Sequence, residues 1–223
     1  MLVLSHREIA NELGHLEPWL DEVATTSLVR AYREDGPPTP AMLDADLLAV
    51  LGSPGSVANG HCSPAAQAEI DLVGRWVADD RPYLGICFGA QVLACAIGGS
   101  VRRLSDTYRA YAELPVTADS PADLSGPWVL WHQDAITAPD QAIHLARLAH
   151  ADIAFSWGRA WGLQPHIEVT SASLIRMLDA LGVSPAEADP IVEGVRRAEA
   201  STDPPADRVA RLMRAFEAEA FGG

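Results

Sequence analysis

The first hundred residues alternate short apolar runs with amphipathic stretches. Leu2-Val3-Leu4 is a run of the kind that forms a buried parallel strand, and residues 8–23 carry Ile9, Leu13, Leu16 and Leu20 at helical spacing, weakened by Gly14 and Pro18. Residues 27–32 form a second apolar run. After the turn-rich Gly36-Pro37-Pro38-Thr39-Pro40, residues 46–51 form a third, ending in Gly52-Ser53-Pro54-Gly55-Ser56. Residues 64–78 read as a helix, with Pro64 at its start and Ile70, Val73 and Val77 on one face, feeding a fourth strand at 83–87. A further helix at 88–97 stops at Gly98-Gly99, and residues 101–104 and 112–116 read as edge or hairpin strands.

The second half repeats short strand signals at 128–131, 143–146, 153–155 and 161–163, each bounded by turn residues. Beyond Thr170 the pattern becomes helical at 171–181, 185–200 and 206–221, with Pro- or Gly-containing breaks between. Alternating strands and helices followed by hairpins predict an α/β fold with a mostly parallel sheet, an antiparallel extension and a helical C-terminal appendage. The expected division is a domain over residues 1–170 and a helical extension over 171–223 packed on that same domain.

Composition narrows the function. The chain has 223 residues and a net charge of −14, from 16 cations against 30 carboxylates. Such acidity opposes association with phosphate backbones and anionic lipid surfaces, so neither nucleic acid nor membrane is an expected partner. All 16 cations are Arg. Without lysine there is no Schiff-base chemistry and no P-loop lysine. Cys62, Cys87 and Cys95 are odd in number and lack metal-ligand spacing, which suggests neither a disulfide framework nor a metal site. With no secretory h-region and no apolar run of membrane-span length, the expected location is cytoplasmic.

Candidate chemistry centres on Gly85-Ile86-Cys87-Phe88-Gly89, which sets a cysteine at a strand-to-helix junction with glycine two residues away on either side. This is the nucleophile-elbow pattern with Cys in place of Ser. The turn is so tight that side chains at the flanking positions would collide. Sulfur at a helix N-terminus meets backbone N–H groups and the positive end of the dipole, which favours thiolate, and the Phe88 N–H is aimed for an oxyanion. A free cysteine is otherwise a small buried hydrophobe, the reading that suits Cys62 and Cys95. The partner base is His166, because in an extended segment Glu168 points the same way and can hold the imidazole in one tautomer. Trp128, Trp131, Trp157 and Trp161 read as packing residues.

Gly85-Ile86-Cys87-Phe88-Gly89-Ala90-Gln91 resembles the nucleophile segment of class I glutamine amidotransferases. Gly162-Leu163-Gln164-Pro165-His166-Ile167-Glu168 is similar to their second signature, with Pro165 in place of an aromatic residue and Ile167 in place of proline. Leu51-Gly52-Ser53-Pro54 is similar to the Gly-Gly-Pro loop that supplies a second oxyanion N–H, here that of Ser53. Trp131-His132-Gln133-Asp134 resembles a Trp-His-Gly-Asp segment of the branch related to the amidotransferase domain of GMP synthetase.

The resemblance covers roughly residues 2–170 and implies the flavodoxin-like fold of that family, with Cys87, His166 and Glu168 as catalytic triad. It implies an oxyanion hole at Ser53 and Phe88 and places Gly52, Gln91, His132 and Asp134 at the substrate. Gln91 could equally pack beneath the elbow, and His132 and Asp134 could equally tie down a loop. No metal or other cofactor is expected. The implied activity is hydrolysis of the L-glutamine γ-amide through a cysteine thioester, with ammonia delivered to a separate synthetase, since the chain has no room for an acceptor domain. The alternatives are an autonomous γ-glutamyl peptide or amine hydrolase using the same triad, and a non-catalytic scaffold that docks through its helical tail.

Overall fold

The computed structural model describes residues 1–6, 12–23, 29–32 (backbone), 35–117, 120 and 122–222. Five parallel strands form the centre of the main sheet: β1 (Leu2–Ser5), β2 (Val29–Tyr32), β3 (Leu48–Val50), β4 (Tyr83–Ile86) and β9 (Ala160–Leu163). Antiparallel β8 (Ala151–Trp157) and β7 (Ile143–Leu148) extend one edge, giving the order β2-β1-β3-β4-β9-β8-β7. This is the expected α/β architecture, a mostly parallel sheet with an antiparallel extension.

Strands β1, β3, β4 and β9 are buried on both faces, which is why each reads as a short apolar run. Side-chain alternation distributes these runs between two cores. Val3, Ala49, Leu84 and Ile86 face one core, closed by Leu16 of a short 3-10 turn, Gly14–Leu16, by Trp19 and Leu20 of α1 (Glu17–Val23), and by α6 (Pro205–Phe221). Leu2, Leu4, Leu48, Val50 and Tyr83 face the other, closed by α2 (Pro64–Ala78) and α3 (Phe88–Ala96). The start of α2 is fixed by Ser63, whose hydroxyl accepts the Ala66 N–H, and by Pro64 in the first turn.

Two sequence expectations change in detail. The amphipathic stretch 8–23 resolves into the 3-10 turn and the short α1, with Gly14 at φ +47 and Pro18 inside the first turn of α1; residues 7–11 lie outside the described residues, as do 27 and 28 of the second strand. The two short strands expected at 101–104 and 112–116 are not separate: β5 runs continuously from Ser100 to Glu113. It pairs with an eleven-residue β6 (Pro127–Thr137) in a two-stranded ribbon apart from the main sheet. Most of β5 is exposed or half-buried, so its polar centre does not interrupt it, and a register shift between Arg103 and Tyr108 takes up the irregularity.

The C-terminal helices divide their packing. α4 (Ser171–Ala180) and α5 (Pro185–Glu199) form a third cluster with Val129 and Trp131 of β6, through Leu174, Met177, Leu178, Val192 and Val195. Helix α6 returns to the main sheet, where Phe216 packs edge-on against both Trp19 and Trp161. Among the described residues no helix is long and apolar enough to cross a membrane.

Candidate active site

The site begins at the turn from β4 into α3. Cys87 occupies the N-cap position of α3 at φ +50 and ψ −101, a left-handed conformation that costs a non-glycine residue on the order of 1–3 kcal/mol. Its neighbours make the turn possible. A Cβ on Gly85 would stand 2.5 Å from the Gly89 carbonyl carbon, and one on Gly89 would stand 2.2 Å from the Val50 carbonyl oxygen. Both glycines are therefore fixed by backbone-to-backbone approach. The resulting elbow pushes sulfur toward a cleft while the thiol stays largely buried, 6% exposed.

Strand pairing brings the second group to the sulfur. The Cys87 N–H donates to the Leu163 carbonyl at 2.7 Å, so the chain leaving β9 passes beside the elbow. Gln164 then donates from Nε2 to Cys87 Sγ at 3.4 Å, and the His166 N–H is tied to the Val129 carbonyl of β6 at 2.8 Å. His166 Nδ1 lies 2.7 Å from Glu168 Oε1. A carboxylate can only accept, so Nδ1 carries the proton and the opposite ring nitrogen is left for the thiol. Glu168 is anchored by its backbone, whose carbonyl accepts the His15 N–H at 2.8 Å; a Cβ on Gly14 would lie 2.0 Å from that oxygen.

Burial works against a charge on His166, but Cys87 and Glu168 beside it outweigh the burial and hold its pKa well above the ordinary histidine value. The site therefore favours a protonated imidazole beside the sulfur. That arrangement can activate sulfur as a nucleophile and return a proton to a leaving group.

The loop after β3 and the ribbon complete a cleft of about 170 Å³. Ser53, Cys87, Gln91, His132, Asp134 and His166 border it, together with Arg103 and Thr107 of β5, Met177 of α4 and Leu181 just after that helix. Gly52, Phe88 and Glu168 lie behind this surface. The Gly52 carbonyl accepts from His6 Nδ1 at 2.8 Å, the Phe88 ring packs edge-on against His6, and Glu168 stands behind His166. Gln91 donates from Nε2 to Gln164 Oε1 at 3.4 Å, so it touches the network at the sulfur as well as the cleft.

His132 and Asp134 are held in different ways. Asp134 accepts from the Ser56 hydroxyl and pairs with Arg103 at 3.4 Å, which ties the loop after β3 to the ribbon. His132 stacks on Tyr108, and its Nε2 is 3.2 Å from His150 Nε2. Burial, followed by the nearby His150 and His166, pushes the His132 pKa down to about 3, so the ring is neutral, and its Nδ1 has no hydrogen-bond partner among the described residues. No group of three or more His, Cys, Asp or Glu side chains placed to hold a metal ion occurs among the described residues.

Three residues at the site do not stand out in the sequence. Gln164 lies inside the second signature, and its place two residues before His166 is the one signal that marks it as a sulfur contact. Arg103 and His6 carry no local signal; each reaches the site from an element distant in sequence.

The comparisons with known proteins agree with this geometry. Residues 20–172 match the sequence model of the family described as "Glutamine amidotransferase class-I". A glutamine-hydrolyzing GMP synthase of Thermus thermophilus is 38% identical over 103 residues, 43% of this chain and 20% of that protein. A Halobacterium salinarum protein, named as one subunit of a glutamine-hydrolyzing GMP synthase, is 32% identical over 114 residues, 48% of this chain and 55% of that one. The matched segments thus span from a fifth to about half of the length of these relatives. A glutamine amidotransferase from Thermotoga maritima shares the fold, with a TM-score of 0.78 and 23% identity over 97% of this chain and 98% of that one. The fold, the cysteine elbow and the family match together lead to one conclusion: this chain belongs to the class I glutamine amidotransferase family.

Proposed function

We propose that this protein hydrolyses the γ-carboxamide of L-glutamine and passes the ammonia to a separate acceptor enzyme. The observation that carries the reading is the strained Cys87 turn with the buried His166–Glu168 pair beside it. Cys87 Sγ passes its proton to His166 and attacks the carboxamide carbon, and the negative charge that develops on oxygen is met by the N–H groups of Phe88 and Ser53. The C–N bond breaks as His166 gives its proton to the nitrogen, ammonia leaves, and a glutamyl thioester remains. His166 then takes a proton from water, whose oxygen adds to the thioester carbon. The C–S bond breaks, glutamate leaves and the thiol is restored. Glu168 stabilises the imidazolium in both halves.

The names of the relatives support glutamine as substrate, and the Halobacterium salinarum protein, being one subunit of its enzyme, supports an acceptor on another chain. The expected result is release of glutamate and ammonia in equal amounts, abolished in Cys87→Ala. A second reading, γ-glutamyl hydrolysis, is favoured by the extent of the cleft past the triad to Met177 and Leu181, where a leaving group larger than ammonia could sit. Faster glutamate release from γ-glutamyl amines than from glutamine would select it. A protein that releases glutamate from neither, with Cys87 inert to iodoacetamide, would leave the scaffold reading.

A further inference from the structure

His6 follows β1 and is buried beneath the loop that carries Ser53. Its Nδ1 is 2.8 Å from the Gly52 carbonyl oxygen. A carbonyl only accepts, so Nδ1 carries a proton and donates it. The other ring nitrogen, Nε2, is 3.5 Å from Glu69 Oε1 of α2, and the ring packs edge-on against Phe88 with centroids 5.3 Å apart. One buried imidazole thus touches the loop after β3, the helix α2 and the first residue of α3.

The Gly52 carbonyl and the Ser53 N–H belong to the same peptide unit. In a planar trans peptide they point in opposite directions. Turning the carbonyl inward to His6 therefore turns the Ser53 N–H outward, to the side on which Ser53 borders the cleft with Cys87. Gly52 can rotate through most of backbone space. Without His6, its carbonyl would be a buried acceptor with no donor and would turn toward the water of the cleft, carrying the Ser53 N–H away. We infer that His6 is a positioning residue that sets the Gly52–Ser53 peptide so that the Ser53 N–H faces the developing oxyanion.

This role rests on the hydrolytic reading above. It predicts that His6 matters for the step that builds negative charge on oxygen and not for the nucleophilicity of the thiol. Alkylation of Cys87 by iodoacetamide passes through no oxyanion, so the two can be separated.

The test compares wild type with His6→Ala, His6→Asn and His6→Gln, following glutamate release from L-glutamine and from a γ-glutamyl anilide beside the alkylation rate of Cys87. Asn places an amide N–H near the position of Nδ1, whereas Gln places it near Nε2 and leaves Gly52 without its donor. The expected result is a fall in kcat of about 10²–10³-fold in the Ala and Gln variants, the loss typical of one oxyanion donor, with KM nearly unchanged. Alkylation should hold its wild-type rate, and Asn should recover most of kcat. If Ala fails to fold, the Asn and Gln pair decides. Equal kcat in all four proteins, or kcat and alkylation falling together without recovery in Asn, overturns the inference. A wild-type protein that hydrolyses neither substrate overturns the hydrolytic reading itself, and this role of His6 with it.

Discussion

The two walls of the cleft are built by different means. One wall, carrying Cys87, His166 and Glu168, stands at the ends of β4 and β9 and is positioned by backbone: the Gly85 and Gly89 approaches, the Cys87 N–H on Leu163 and the Glu168 carbonyl on His15. The other, from β5, β6 and α4, is positioned by side chains: Asp134 with Arg103, His132 with Tyr108 and His150, and Met177 in an apolar cluster. Backbone contacts admit no substitution that adds a Cβ, whereas side-chain contacts can be exchanged one for another. On the proposed mechanism, the reacting groups sit on the wall that sequence change can least disturb, and the opposite wall is the one it can most easily remodel.

The largest effect is expected from adding a methyl group on the backbone-built wall. Gly89→Ala puts a Cβ against the Val50 carbonyl, with no side chain able to yield. We expect a loss of about 4 kcal/mol or more, at the extreme of single substitutions, read as failure to fold or a large fall in Tm. Next comes Glu168→Gln, which keeps the packing but removes the carboxylate that holds the His166 Nδ1 proton. Steady-state kinetics should show a kcat loss of about 10³–10⁴-fold, as for an orienting carboxylate in other triads, with Tm much less affected.

The side-chain wall should respond more mildly. His132 is neutral in the folded protein down to about pH 3, while the unfolded chain protonates it near 6.5. Between these values the unfolded state binds more protons, so this contribution to stability is complete above 6.5 and is lost as pH falls toward 3. Thermal melts over that range should show a steeper acid decline in wild type than in His132→Gln. The smallest effect is expected for Arg103→Ala. Its pair with Asp134 is partly exposed on the arginine side, so stability should change by at most about 1 kcal/mol. A raised KM with kcat preserved would place Arg103 in recognition; an equal fall in kcat would contradict the division between the walls.

The backbone-built wall is also the more legible in sequence. Gly-x-Cys-x-Gly states its own steric requirement, and the bounds of α2 follow from a serine cap and a proline next to it. The ribbon is less legible because β5 is exposed or half-buried along most of its length and needs no apolar pattern, so its polar centre reads as a break. The helical periodicity of residues 206–221 gives a helix but not its place, since the packing of Phe216 between Trp19 and Trp161 depends on contacts across most of the chain. His6 and Arg103 are silent for the same reason. Their partners, Gly52 and Asp134, are brought near by the order of the strands and not by any local pattern.

In the proposed reaction Cys87 forms a covalent intermediate with the glutamyl group. Rapid acid quenching of the protein mixed with L-glutamine, followed by peptide mass spectrometry, tests it most directly. The expected result is a glutamyl adduct on the peptide containing Cys87, absent from Cys87→Ala. Glutamate release without such an adduct, or with the adduct on Cys62 or Cys95, would contradict it.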